Sequence, residues 1–172
     1  MSIKSCAIIA ESPLCFPWGF DEEDQNCIAM KFLLLNRISV LRTKGINDFY
    51  IALDAGFGLY GSEAIASLKE ETQDIHLFCI IPYEEQAVKW SPELRNRYYN
   101  VLSKSDEPIT ISIEPSKTCE VDVMLEAIDC ADSVLAVSAE TKYQDKNFSL
   151  AMRYVQHIGR EAYSITPLAI AP

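Results

Sequence analysis

The sequence predicts an α/β fold, a mostly parallel sheet with helices packed on both faces. Short apolar runs alternate with longer segments of helical periodicity along the chain. Some of those runs, such as Ser5 to Ala10, are apolar without a break, as expected for strands covered on both sides. The second run, Phe49 to Leu53, meets Asp54 and a stretch with three glycines, Gly56, Gly58 and Gly61, before another helical pattern begins. That strand–turn–helix order is the unit from which parallel sheets are built.

Taken in order, the first strand is Ser5 to Ala10, ending at Glu11-Ser12-Pro13. A loop rich in proline, cysteine and aromatics follows, Leu14 to Phe20. The acids Asp21 to Asp24 then precede a helix whose apolar stripe is read as Ile28, Phe32, Leu35 and Ile38, widened by Leu34 and Leu41. Gly45 is placed to close it in a left-handed cap. The second strand is Asp48 to Leu53. The next helix is expected to open at Gly61 and Ser62, with Ser62 as its cap. A third strand runs from Ile75 to Ile81, and Glu84 to Trp90 reads as a short helix. Ser91-Pro92-Glu93 is a fresh helix start, with Leu94, Tyr98 and Val101 at helical spacing. A fourth strand, Ile109 to Ile113, leads to a helix opened near Ser116 or Thr118. The fifth strand is Ser133 to Val137. A helix from Asp145 to Ile158, with Ala151, Tyr154, Val155 and Ile158 inward, precedes a last strand, Ala162 to Thr166. No repeat or internal linker appears, so residues 1–172 are expected to form one domain.

Bulk properties narrow the function. Net charge is −10, which opposes the phosphate backbone and argues against nucleic acid as a partner. No apolar run reaches membrane-spanning length and no leader pattern precedes the first strand, so no membrane partner and a cytoplasmic location are expected. The six cysteines include no CxxC pair, and the two histidines, His76 and His157, lie far apart. Reduced thiols and no metal site follow.

The glycine stretch supplies the functional hypothesis. A glycine lacks the Cβ that keeps a ligand or a second backbone away, and a helix start after it offers N–H groups to an anion. Gly56, Gly58 and Gly61 meet the spacing GxGxxG, but no Gly-Lys-Ser/Thr follows as a Walker loop requires. Ligands of parallel sheets bind beyond the carboxyl ends of the strands, where the strand order reverses. The candidate ligand-binding residues are therefore Glu11, Ser12, Asp54, Gly56, Gly58, Gly61, Ser62, Glu63, Pro82 and Tyr83, with Ser138 onward as a further edge.

The order of landmarks resembles the YpsA-like branch of the SLOG superfamily, whose relatives include the Lonely-guy phosphoribohydrolases and the DNA-processing protein DprA. The matching parts are Gly56-x-x-x-Tyr60-x-x-Glu63-Ala64 and Ile81-Pro82-Tyr83-x-x-Gln86-x-x-x-Trp90, then Tyr98-Tyr99 and Ala131 to Val137. The resemblance covers nearly the whole chain. It implies a Rossmann-like three-layer fold that binds a nucleotide or a molecule derived from NAD or ADP-ribose, with Gly56 on the phosphate side and Glu63 at the mouth of the pocket. Glu11-Ser12-Pro13 stands where that family tends to place Gly-x-Arg, and a carboxylate at Glu11 or Asp54 repels phosphate unless a cation or an amine intervenes.

Three functions stay open. The first is a small-ligand-binding domain for a nucleotide-like molecule, acting as a sensor and requiring no cofactor. The second is an enzyme that cleaves an N-glycosidic bond, with Glu63 as its catalytic acid or base. The third is a non-catalytic module with a decayed pocket, forming a homo-oligomer or another protein contact through Cys15 to Phe20.

Overall fold

The computed structural model describes residues 4–167. Its elements are β1 (Lys4–Ala10), α1 (Gln25–Thr43), β2 (Ile46–Ala52), α2 (Phe57–Glu71), β3 (His76–Tyr83), α3 (Pro92–Lys104), β4 (Ile109–Ser112), α4 (Cys119–Cys130), β5 (Ser133–Val137), α5 (Lys146–His157) and β6 (Glu161–Ile165). A single 3-10 turn, Pro13–Cys15, follows β1. The strands form one sheet in the order β4-β3-β2-β1-β5-β6, with every pairing parallel. The chain steps outward from β1 to β4, then returns to the far side of β1 with β5. The expected three-layer Rossmann-like architecture is present.

Alternation along β1 shows how two cores arise from one strand. Cys6, Ile8 and Ala10 join Leu34 of α1, Ile65 of α2 and Tyr98 of α3. Ala7 and Ile9 face the other way, onto Ala127 of α4 and Ala151 of α5. Successive strand side chains point to opposite faces, so a strand apolar at every position buries both. His76, at the start of β3, pairs through Nδ1 with Asp48 Oδ1 at 2.7 Å.

Several caps follow the sequence. Asp24 accepts from the amides of Asn26 and Cys27 at the start of α1, and Gly45 ends that helix region at φ +87°. Ser91 caps α3 with Pro92 in its first turn.

Four expectations need correction. In α1 the inward residues are Cys27, Met30, Leu34, Ile38 and Leu41, while Ile28 and Phe32 are exposed. Apolar residues occur all round this helix, so periodicity alone does not select its buried face. In α5 the inward face is Phe148, Ala151 and Val155; Tyr154 instead turns its hydroxyl to Asp129, donating to Oδ1 at 2.5 Å, and Ile158 is exposed. Residues Glu84 to Trp90 form successive turns, not a helix, with amides of Gln86, Val88 and Trp90 bonded three residues back. Finally, α2 opens at Phe57, four residues before the expected start.

The aromatic loop after β1 is also not the exposed contact surface envisaged for it. Phe16 and Trp18 are buried, and their rings lie 4.9 and 6.5 Å from that of Phe57. Tyr60 meets Phe57 edge-on at 5.2 Å. Leu14, Pro17 and Phe20 are the parts of this loop left exposed.

Candidate functional site

The turn between β2 and α2 is closed by its own aspartate. Asp54 Oδ1 accepts from the amides of Gly56 at 2.8 Å and Gly58 at 2.9 Å. These are N–H groups at the helix start that the sequence offered to an anion, and an internal carboxylate takes them. The glycines serve this closure. A Cβ on Gly58 would stand 2.4 Å from the Ala52 carbonyl oxygen and 2.9 Å from Asp54 Oδ1. A Cβ on Gly56 would stand 2.6 Å from Pro13 Cγ. The close approach is thus between parts of the chain itself. Gly61 is different: its Cβ would meet only ordinary contacts, with the side chains of Leu34, Ile51 and Ile8. Ser62 is not a cap; it is buried inside α2 and donates to the Gly58 carbonyl at 2.8 Å.

Asp54 is unusual electrostatically. Loss of water around its carboxyl raises its pKa, and the two glycine amides oppose this only in part, leaving it at about 6 against an ordinary 3.8. Among the described residues no donor reaches its second oxygen, Oδ2.

Beside this turn lies a cleft of about 240 Å³ at the carboxyl ends of β1, β2 and β3. Asp54, Ser12, Pro82 and Tyr83 line it, together with Gln86 and Trp90 from the run of turns after β3. Glu120, Val123 and Met124 of α4 close one wall, and Asp145 and Asn147 at the start of α5 another. Gln86 Nε2 donates to the Leu53 carbonyl at 2.7 Å, whereas its Oε1 is buried without a donor.

The reversal of strand order at β1 and β5 is not the open crevice expected there. Glu11, buried, accepts on Oε1 from the Ser138 hydroxyl at 2.6 Å and the Ala139 amide at 3.1 Å. The Ser12 amide donates to Asp145 Oδ2 at 2.8 Å, while Asp145 Oδ1 caps α5 through Asn147 and Phe148. The Thr141 hydroxyl donates to the Cys15 carbonyl at 2.9 Å. Glu11 thus braces the seam and is not among the residues that line the cleft.

Glu63 lies on the opposite side of α2, in a shallow groove between α1 and α2 that also contains Tyr60 and Arg97. Arg97 forks onto it, with Nη2 donating to Oε1 at 2.7 Å and Nε to Oε2 at 3.2 Å. The same guanidinium donates to both oxygens of Glu22, at 2.7 and 2.8 Å, and Lys31 reaches Glu22 at 2.6 Å. Burial works to raise the Glu22 pKa, but the bonds from Arg97 and Lys31 prevail and hold it below the usual range. The hydrogen bonds that Arg97 donates to Glu22, ahead of those it donates to Glu63, keep its guanidinium protonated. Glu63 is therefore half of a bidentate ion pair and does not line the cleft. Sequence reasoning missed Arg97 and Glu22 because they lie 75 residues apart; the spacing of Glu93 and Arg97 on α3 was the sole local hint of a charged face.

Cys15 is buried and its thiol is pushed up to about 11, chiefly by burial and then by Glu11 and Asp145. It has no thiolate character at neutral pH. No group of three or more potential metal ligands comes together among the described residues, and no described helix is long and apolar enough to cross a membrane.

The chain is 31% identical over 96 residues to a UPF0398 protein of Bacillus licheniformis, a match covering 56% of this chain and 52% of that protein. It is 27% identical over 114 residues to the UPF0398 protein YpsA of Bacillus subtilis, covering 66% of this chain and 62% of that one. The matches therefore span between half and two thirds of these relatives' length. The sequence model of the YspA SLOG family matches residues 14–167, which takes in the glycine turn, most of the residues that line the cleft and all five helices, and the chain belongs to that family.

Proposed function

We propose that the chain is a small-ligand-binding domain for a nucleotide-derived molecule, seated in the cleft beside Asp54. The carrying observation is the cleft itself. It lies at the carboxyl ends of three parallel strands and has an apolar wall in Val123 and Met124. Aromatic side chains, Tyr83 and Trp90, and a small set of polar groups complete it. That composition is typical of small-molecule sites, and the position is where parallel sheets hold ligands. A net charge of −10 favours a small molecule over nucleic acid. A thermal-shift panel of nucleosides, nucleotides, NAD and ADP-ribose at millimolar concentration tests the reading. Stabilisation by at least one compound is expected, and its loss on Trp90→Ala locates the site; a flat panel rejects the proposal.

A second reading, cleavage of an N-glycosidic bond, gains support from Asp54 instead of Glu63. Asp54 is the cleft carboxyl whose pKa approaches neutrality, as suits a group that protonates a departing base. Water would add to the ribosyl carbon as the carbon–nitrogen bond breaks, and the proton it loses would return to the Asp54 carboxylate left by protonating the base. Release of free base from nucleosides or nucleotides, abolished by Asp54→Asn, is the expected result; no release from any of them excludes this reading.

A further inference from the structure

We propose that the cleft takes the phosphate-free end of its ligand: a flat nitrogen heterocycle presenting N–H donors, nucleoside in size, with its phosphorylated counterparts rejected. This rests on the ligand-binding reading above and specifies what is bound.

At two of the three helix starts beside the cleft the amides that would attract phosphate are already held, and at the third, α4, no side chain caps the first amides but acidic residues stand there. Helix N-termini favour anions through unpaired amides and the helix dipole. At α2 the Gly56 and Gly58 amides are held by Asp54. At α5 the Asn147 and Phe148 amides are held by Asp145, which also takes the Ser12 amide. At α4 the first turn carries Glu120 and Asp122. A phosphate entering here would meet carboxylates of Asp54, Glu120 and Asp145, and no lysine, arginine or histidine is among the lining residues. Repulsion between like charges at such distances is strong where water is partly excluded.

The unfilled capacity is of the opposite kind. Among the described residues Asp54 Oδ2 receives no donor, and Gln86 Oε1 is a buried acceptor without a partner. The Gln86 amide cannot be turned to cure this, because its Nε2 already serves the Leu53 carbonyl and an exchange would set two oxygens together. Asp54 Oδ2 is the acceptor open to the cleft, and a ligand N–H gives it the partner it lacks, whereas Gln86 Oε1 is closed off and becomes available only if its side chain shifts. Tyr83, Trp90, Val123 and Met124 offer the apolar and aromatic surface on which a flat ring rests. Size agrees: the cleft's 240 Å³ is below the ~300–1,000 Å³ usual for pockets that enclose larger ligands.

The test is isothermal titration of the protein with matched pairs, adenosine and AMP, guanosine and GMP, cytidine and CMP. At least one nucleoside is expected to bind ten times more tightly than its 5′-monophosphate. Glu120→Lys, on the exposed rim, should narrow that gap at least threefold by offering the phosphate a cation. In Asp54→Asn, with folding checked by circular dichroism, the preferred nucleoside should lose at least tenfold in affinity. Monophosphates binding as tightly as nucleosides would overturn the inference and leave the ligand-binding reading standing. No binding by any of these six, with stabilisation by NAD or ADP-ribose, would likewise overturn the inference alone; no response to any of these compounds would overturn both. An unchanged gap in Glu120→Lys would remove the electrostatic argument.

Discussion

The two sides of the glycine turn are built in opposite ways. Towards α1 the space is filled: Phe16, Trp18, Phe57 and Tyr60 pack ring on ring, and Lys31 sits 4.2 Å from the centre of the Tyr60 ring. Towards α4 the same turn borders an open cleft with three carboxylates on its walls. One sequence motif therefore borders close packing on one side and an open cleft on the other. A glycine-rich strand-to-helix turn does not by itself mark a receptor for phosphate. The outcome depends on whether the chain brings its own anion to the amides, as Asp54 does here.

The largest test of this contrast is on the filled side. Phe57 is almost wholly buried, and Phe57→Ala should cost about 3–5 kcal/mol in urea unfolding, with a cleft variant such as Trp90→Ala costing less. A smaller loss there than for the cleft variant would reverse the assignment of the two sides. Next comes Gly58→Ala, whose added carbon meets backbone at 2.4 Å; a loss of about 3 kcal/mol is expected. Gly61→Ala is the control, neutral or stabilising by up to about 1 kcal/mol because helix propensity improves and nothing clashes. Equal effects at the two glycines would show that close approach is not what the turn requires.

On the open side the expected effect is smaller and depends on pH. The Asp54 pKa is raised on folding, so its ionisation opposes the folded state. Its contribution is fully present below about pH 4 and is lost as pH rises through about 6. Across that window the wild type should lose about 1–3 kcal/mol relative to Asp54→Asn, which keeps an acceptor for the glycine amides. Parallel pH curves for the two proteins would contradict the raised pKa. The smallest effect falls at the charged groove. Arg97→Lys keeps the charge but loses the fork onto Glu22 and Glu63, for about 1 kcal/mol. It should leave ligand binding in the cleft unchanged.

What could be read from the sequence was what local pattern determines. β5 was located at both ends because Val134 to Val137 is an unbroken apolar run led by Ser133, and α3 because Ser91-Pro92 fixes its start. The facing of α1 was not legible, since Ile28 and Phe32 look as eligible for the core as Met30 and Leu34. The start of α2 was misplaced because glycine at 58 and 61 disfavours helix locally, and tertiary packing overrides that preference. At the candidate site, Asp54, Ser12, Pro82 and Tyr83 were singled out because they follow strand ends, and they do line the cleft. Glu11 and Glu63 satisfied equally reasonable rules, yet their partners, Ala139 and Arg97, are remote in sequence and no local spacing reveals them.

The brace at Glu11 has a mechanical consequence. With β1 and β5 stitched together beyond their ends by a carboxylate, a serine and a cap shared with α5, that half of the rim is a fixed jaw. Any adjustment to an incoming molecule then falls to the opposite jaw, the turns from Glu84 to Trp90, tied to the end of β2 through Gln86 and Leu53, where amide exchange should slow most on binding.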